Sequence, residues 1–386
     1  MKKIFAASEL GLEEFTKHEL HELGLLPSAK ASKTKRSQNS TEKGGIEFDG
    51  DLKAIYRANL SLRTASRVLV RLGSFHAAAF SELRKKASRL EWERYLAPGQ
   101  SVALKVTCNK SRLYHSNAVA ERVVGAIGDR LNKQALLHEF VGEAENESPQ
   151  LFIVRLVNDH CTISVDSSGE LLHRRGYRLE TAKAPLRETL AAGAIMASKW
   201  DMESPLIDPF CGSGTIPIEA ALMARGIAPG NSRRFAFMNW PGFDPNLWKA
   251  VLADHKRQFP YRIPRILASD RDAGAIRIAQ ANAERAGVAD YIDFSCQAVS
   301  AIEPTDTGWI VTNPPYGLRV SANKDLRNLY AQFGNVLRTK CPDWHVAIIC
   351  SDLRLLGNIG IRLDTSLSMV NGGISVKLAR GIVETC

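Results

Sequence analysis

Between residues 205 and 350 five short apolar runs recur, and that rhythm constrains the fold more than any other feature of the chain. The runs are Pro205-Leu-Ile-Asp208, Arg265-Ile-Leu-Ala-Ser-Asp270, Tyr291-Ile-Asp-Phe-Ser-Cys296, Gly308-Trp-Ile-Val-Thr312 and His345-Val-Ala-Ile-Ile-Cys350. Helix-like segments at 215–225, 273–287 and 325–340 separate several of them. Such alternation marks a doubly wound parallel sheet, because parallel strands need crossovers and helical crossovers cover the sheet faces. Further on, Ser366-Leu-Ser-Met-Val-Asn-Gly-Gly-Ile-Ser-Val-Lys-Leu378 holds two alternating stretches joined at Asn371-Gly372-Gly373. This is a hairpin signal, so the last strand is expected to be antiparallel.

One interval does not fit the rhythm. Asp208 and Asp270 stand 62 positions apart, where one compact strand-helix step needs about 20–30 residues. The surplus lies near 226–262 and carries Arg233, Arg234, Phe235, Phe237, Trp240 and Trp248. It reads as a small packing subdomain; a basic-aromatic insert that seats a flipped base is the other reading.

Ahead of this region the pattern is mixed. A strand at Lys3–Ala7 is followed by an amphipathic helix through Leu12, Phe15, Leu20 and Leu23, and residues 28–45 read as a mobile basic loop. A strand from Gly45, a helix over 52–60, and the alternating Ser66–Leu72 follow, with Arg67 and Arg71 opposite Val68 and Val70. Residues 79–96 look helical, 102–107 extended and 118–131 helical. Between the last two lies a polar turn with Lys110, Arg112 and Tyr114. A strand, a basic turn and a helix start can form a phosphate site; Ser116 or Asn117 as an ordinary N-cap is the simpler account. Leu151–Leu156 and Cys161–Asp166 read as paired strands across Asn158-Asp159. Ala184-Pro-Leu-Arg-Glu-Thr-Leu-Ala-Ala-Gly193 reads as a helix with proline in its first turn. A domain boundary is expected around 170–185.

Charge separates the two parts. Residues 1–142 carry 24 Lys and Arg against 15 Asp and Glu, whereas 143–386 carry 27 against 26. The positive field therefore belongs to the N-terminal part and suits a polyanion such as RNA or DNA; a solvated basic surface is the plain alternative. Cys108, Cys161, Cys211, Cys296, Cys341, Cys350 and Cys386 form no Cys-x-x-Cys pair and no zinc-finger spacing, so no metal is expected. No signal peptide and no membrane-spanning run is recognisable, which points to a soluble, cytoplasmic protein without a membrane partner.

Two short runs carry chemistry. In Asp208-Pro-Phe-Cys-Gly-Ser-Gly-Thr215 an acid ends the first parallel strand, where open α/β sheets bind ligands, and Gly212 and Gly214 permit a tight turn before Thr215 opens a helix. Thr-Ile-Pro after Gly214 is unlike a P-loop, and Pro217 replaces the third glycine of a dinucleotide turn. An acid at this place suits a cation. Asp270 ends the second strand, from which a carboxylate can hold both hydroxyls of a ribose. Ribose plus a cationic end describes S-adenosylmethionine. Taken singly, Asp208, Asp270 and Asp272 could be strand-end and cap residues.

Asn313-Pro314-Pro315-Tyr316 lies 105 positions after Asp208. The exocyclic amine of a purine is a poor nucleophile because its lone pair is delocalised into the ring. The Asn313 amide oxygen and the Pro314 carbonyl can each accept one of its N–H bonds, drawing the nitrogen toward tetrahedral geometry. Two prolines fix φ and hold that carbonyl, and Tyr316 offers a stacking face. Orientation and preorganised dipoles supply the catalysis, and no strong base is required.

In these residues the chain resembles the class I S-adenosylmethionine-dependent methyltransferases. More narrowly, it resembles the THUMP-domain RNA methyltransferases that form N2-methylguanosine in ribosomal or transfer RNA. The resemblance spans nearly the whole length. It rests most on His173-Arg-Arg-Gly-Tyr177, Ala184–Leu190, Asp208–Thr215, Ser269-Asp-Arg-Asp272 and Thr312-Asn-Pro-Pro-Tyr-Gly317.

The resemblance implies a seven-stranded Rossmann-like catalytic sheet with an antiparallel last strand, preceded by an α+β ferredoxin-like and THUMP region. The implied division is 1–65, 66–168 and 169–386. It implies cofactor contacts at Thr189, Asp208, Cys211, Gly212, Gly214, Thr215, Asp270, Arg271, Gln297, Ala298 and Asn313, with Asn313, Pro314 and Tyr316 catalytic. Lys110, Arg112, Tyr114, Arg174 and Arg175 would touch RNA, with 23S ribosomal RNA favoured over transfer RNA, DNA adenine the rival target, and a non-catalytic nucleic-acid-binding protein the remaining alternative. At 297–298 the family usually has an acid and a small residue, whereas this chain has Gln297-Ala298. Some relatives add a second catalytic domain, for which 386 residues are expected to leave no room.

Overall fold

The computed structural model describes residues 1–27, 41–42, 44–133, 135–138, 149–179, 186–258, 262–304, 306–316 and 326–384. Most of the expected basic loop at 28–45, Ala184-Pro185, and Gly317 lie outside the described residues.

Strands β1 (Lys2–Ser8), β2 (Thr41–Glu42), β3 (Gly45–Gly50), β4 (Ala65–His76), β5 (Ser101–Asn109), β6 (Leu136–His138), β7 (Gln150–Val157) and β8 (His160–Asp166) form one eight-stranded sheet. Its order is β2-β3-β1-β4-β8-β7-β5-β6. The long strand β4 pairs with β1 through its first half and with β8 through its second, so the halves divided near residue 65 in the sequence reading share one sheet. Side chains alternate across the sheet plane. Ile4, Ala6, Val68, Val70, Phe152, Val154, Ile163 and Val165 face a common core, which is closed by helices α1 (Glu13–Glu22), α2 (Leu52–Ser61), α3 (Phe80–Ala87) and α4 (Ser116–Leu131). Asn158 and Asp159, at φ 50° and 61°, make the tight turn between β7 and β8.

The second sheet contains β9 (Leu206–Asp208), β10 (Ile266–Asp270), β11 (Ile292–Cys296), β12 (Trp309–Thr312), β13 (His345–Cys350), β14 (Asp364–Asn371) and β15 (Ile374–Ile382). Its order is β11-β10-β9-β12-β13-β15-β14. The first five strands are parallel, and β15 lies antiparallel between β13 and β14. Helices α5 (Glu188–Ser198), α6 (Thr215–Ala224) and α8 (Ala273–Ala286) contribute to one apolar core, while α9 (Arg327–Lys340) and α10 (Leu353–Gly357) build the other. The order reverses direction beside β9, so the ends of β9 and β12 open a crevice at the switch point.

Helix α7 (Pro245–Gln258) belongs to the surplus interval. Phe235, Phe237 and Trp240 are buried with Tyr56 in the core of the first sheet, and the Phe237 ring stacks on Tyr56 at 4.4 Å. Trp240 Nε1 donates to Gln150 Oε1 at 2.8 Å. The insert thus packs into the core of the first sheet, although in the chain it stands between α6 and β10 of the second. The base-seating alternative fails because these rings are covered and cannot receive a nucleotide.

Four local expectations change. The helix expected over 79–96 stops at Ala87, where the Trp92 indole N–H bonds the Ala87 carbonyl at 2.8 Å, and only a short 3-10 turn follows at Trp92–Arg94. Thr41–Glu42 pair with β3 instead of belonging to a loop. Neither Ser116 nor Asn117 caps α4; its N-cap is His115, whose side chain makes no capping bond. Helix α5 opens at Glu188 behind an extended Arg187, and Pro185, expected in its first turn, lies outside the described residues.

Candidate active site at the ends of the parallel strands

The tight turn after β9 is built by its glycines. Gly212 and Gly214 sit at φ +52° and +85°, and Gly214 is the N-cap of α6. A Cβ on Gly214 would stand 3.0 Å from the Ala279 Cβ, so the turn lies against α8 with no room for a side chain. The Asn282 amide clamps the same turn by donating to the Ser213 carbonyl at 3.0 Å.

Two carboxylates face this turn, one partly exposed and one buried. Asp270 accepts from the Gly212 N–H at 3.1 Å and from the Asp272 N–H at 3.0 Å, one on each oxygen. Asp208 is 1% exposed, and its Oδ1 accepts from Thr312 Oγ1 at 2.6 Å and from the Phe210 N–H at 3.2 Å. Burial pushes its pKa up to about 7 against the pull of those bonds. Asp272 is the N-cap of α8 and bonds the Gly274 and Ala275 N–H groups, a structural role.

The Thr312 bond ties the cofactor turn to the clamp, since Asn313 is the next residue. The Asn313 Oδ1 is buried and has no hydrogen-bond partner among the described residues. A buried acceptor without a donor is costly, and here a ligand N–H can supply the donor. Tyr330 Oη supports the clamp from below, donating to the Pro315 carbonyl at 3.3 Å, with the Cys350 sulfur at the same distance. Tyr316 is partly buried, and that burial raises its phenol pKa.

One cavity of about 590 Å³ joins these parts. Its lining includes Asp208, Cys211, Gly212, Thr215, Asp270, Arg271, Gln297, Ala298, Asn313, Pro314 and Tyr316. Residues expected from distant parts of the chain thus meet in one crevice of a size usual for cofactor sites. Thr189 is the exception: it is 1% exposed in α5, its hydroxyl has no partner among the described residues, and it does not line the cavity. Leu329, Gln332, Ser351, Asn371, Gly372 and Ile374 also line it and went unread. Only the hairpin signal at 371–373 could have pointed to any of them.

The expected RNA contacts divide. Lys110 and Arg112 are exposed, and Tyr114 is 69% exposed with its ring 4.1 Å from that of His115. Leu113 is buried beneath them and anchors the turn. Arg174 is partly exposed, 3.7 Å from Glu170. Arg175 must be corrected: it is 4% exposed and donates to the Leu172 and Arg63 carbonyls at 2.5 and 2.6 Å, beside Glu219 at 3.5 Å. Its charge is used inside the protein, at the junction of the two sheets, and cannot reach a phosphate.

S-adenosylmethionine fits these residues. The Asp270 carboxylate is oriented by two backbone N–H groups and keeps lone pairs for ribose hydroxyls. Asp208, neutralised in part by burial, would regain its charge beside a cationic methionine end. Among the described residues no group of three or more His, Cys, Asp or Glu is arranged to hold a metal, and no helix is long and apolar enough to cross a membrane.

Three family models match. Residues 3–69 match the RlmL ferredoxin-like domain, 77–166 the THUMP domain, and 175–383 the RMKL-like methyltransferase domain. Over 381 residues the chain is 32% identical to slr0064 of Synechocystis, provisionally named an RNA methyltransferase, covering 97% of this chain and 95% of that protein. It is 35% identical to the ribosomal RNA large subunit methyltransferase K/L of Methylococcus capsulatus, covering 98% of this chain. That match takes in 50% of the relative, so the chain spans about half the length of the K/L proteins it resembles. The crystal structure of SMU.472, provisionally named a methyltransferase and complexed with S-adenosylhomocysteine, superposes with a TM-score of 0.83 at 28% identity, covering 100% and 98% of the two chains. S-adenosylmethionine is accordingly the cofactor. The chain belongs to the RMKL-like methyltransferase family, in the form that carries an RlmL ferredoxin-like domain and a THUMP domain ahead of the catalytic sheet.

Proposed function

We propose that this protein methylates the exocyclic N2 of a guanosine in RNA, with 23S ribosomal RNA as substrate, in the cytoplasm. The observation that carries the chemistry is the unpaired, buried Asn313 Oδ1 in the same cavity as Asp208 and Asp270. Bound S-adenosylmethionine supplies an electrophilic methyl group. Asp270 would hold its ribose, the turn at Cys211–Gly214 and Gln297 and Ala298 would line the rest of it, and Asp208 would face its cationic end.

On the acceptor side, Asn313 Oδ1 and the Pro314 carbonyl each accept a hydrogen bond from one amine N–H and direct the lone pair toward the cofactor. Tyr316 supplies a face for the base. No described side chain needs to remove a proton first, since alkylation makes the amine acidic and water takes the proton afterwards.

RNA as substrate is supported by the THUMP match and by exposed Lys110, Arg112 and Tyr114. Ribosomal RNA is supported by likeness to the K/L proteins. The test is transfer of labelled methyl groups to total RNA from a strain lacking this protein, with size separation and nucleoside digestion. N2-methylguanosine in large ribosomal RNA is the expected product. Label in transfer RNA would change the substrate and keep the chemistry. N6-methyladenine in DNA, with RNA unlabelled, would overturn the reading.

A further inference from the structure

The tyrosine of the clamp has a partner outside it. Asn371 ends β14 at the hairpin tip and lines the same cavity as Tyr316, with its side-chain amide within hydrogen-bonding reach of the Tyr316 hydroxyl. Asn371, Gly372 and Ile374 line the same cavity as Asp208, Asp270 and Asn313. Asn371 pairs with Ile374 in the ladder, and only Gly372 and Gly373 intervene, at φ +56° and +86°. A Cβ on either glycine would meet nothing within 4 Å, so they serve backbone direction and not close approach. The turn therefore keeps Asn371 within the sheet, where its amide has little freedom, and does not leave it on a mobile loop.

We propose that Asn371 is a positioning residue for methyl transfer: it fixes the Tyr316 ring as the platform of the acceptor-base slot, and the hairpin tip forms the outer wall of that slot. The inference rests on the acceptor being a planar amine-bearing base, as proposed above. A ring free to rotate would let the stacked base drift relative to Asn313 Oδ1 and the Pro314 carbonyl, and small misplacements at a reacting centre are expensive in rate. Tyr330 holds the opposite side of the same segment through the Pro315 carbonyl. Clamp and platform are thus pinned separately, one by a helix and one by the terminal hairpin.

The test is a double-mutant cycle of Asn371→Ala and Tyr316→Phe, each of which removes the same bond from one side. Rates are read with labelled S-adenosylmethionine and total RNA from the deletion strain, cofactor affinity by calorimetry, and the tyrosine phenol carbons by NMR. Each single variant should lose roughly fivefold to tenfold in kcat, the loss of one neutral hydrogen bond, with KM and cofactor affinity within about twofold. The double variant should lose no more than either single one. In Asn371→Ala, the resonance that Tyr316→Phe deletes should move while the other seven of eight tyrosines stay in place. Additive losses, an unchanged rate in Asn371→Ala or an unmoved Tyr316 resonance would overturn the inference. A wild-type protein inactive on every RNA would count against the proposed substrate, and the NMR arm would still decide the role of Asn371. Should one variant fail to fold, the other removes the same bond and carries the decision.

Discussion

Asp208 couples protonation to cofactor binding. Its pKa in the folded protein is about 7, against roughly 3.9 in an unfolded chain. The folded state therefore keeps a proton that the unfolded state has released. Its contribution to stability is complete below pH about 4 and is lost as pH rises through about 7. A cation beside Asp208 reverses the preference, so binding S-adenosylmethionine should expel the proton, and affinity should climb with pH up to about 7 and then level. Calorimetry in buffers of different ionisation enthalpy measures that proton directly, and Asp208→Asn should abolish both the release and the pH slope. A flat profile in the wild type would show that Asp208 does not face the cation. Asn313→Ala should do something different: turnover falls by roughly a hundredfold or more, while RNA affinity holds. These residues were legible because acids at strand ends and an amide before two prolines are short-range patterns. Arg175 was not legible, since the carbonyls of Arg63 and Leu172 and the carboxylate of Glu219 that consume its charge come together only in the fold.

At the scale of elements, the turn between β9 and α6 gives the sharpest expectation. Gly212 and Gly214 both have positive φ, and only Gly214 is also packed against Ala279. Gly212→Ala should cost about 1 kcal/mol, from backbone strain alone. Gly214→Ala should cost more, in total about 2–3 kcal/mol, because the added methyl meets α8 as well. Thermal unfolding of the two variants side by side checks the ranking, and equal midpoints would refute the packing argument. The catalytic strands were readable from their apolar runs, and the last hairpin from Asn371-Gly372-Gly373. The helix ending at Ala87 was not: no proline or glycine appears before Pro98 and Gly99, and the stop comes from the Trp92 indole folding back on the Ala87 carbonyl. The insert around α7 stayed unassigned because its aromatic rings find Tyr56 and Gln150 far away in the chain.

For the whole molecule, the excess of positive charge in residues 1–142 includes the exposed Lys110 and Arg112. Replacing both by Gln should weaken RNA binding and lower the slope of log affinity against log salt by roughly one to two, with S-adenosylmethionine affinity unchanged. Equal loss of both affinities would argue against a separate RNA-binding surface. That surface and the methyl-transfer cavity belong to different sheets, yet β4 is common to both halves of the first sheet, and the insert carrying Phe237 and Trp240, which stands between α6 and β10 of the second, packs into its core. A protein joined in this way would behave as a caliper: were RNA held at the Lys110 turn as proposed, the jaw at Asn313 would come down at a set span, and the nucleotide modified would be chosen by its distance from the gripped structure as much as by the identity of its base.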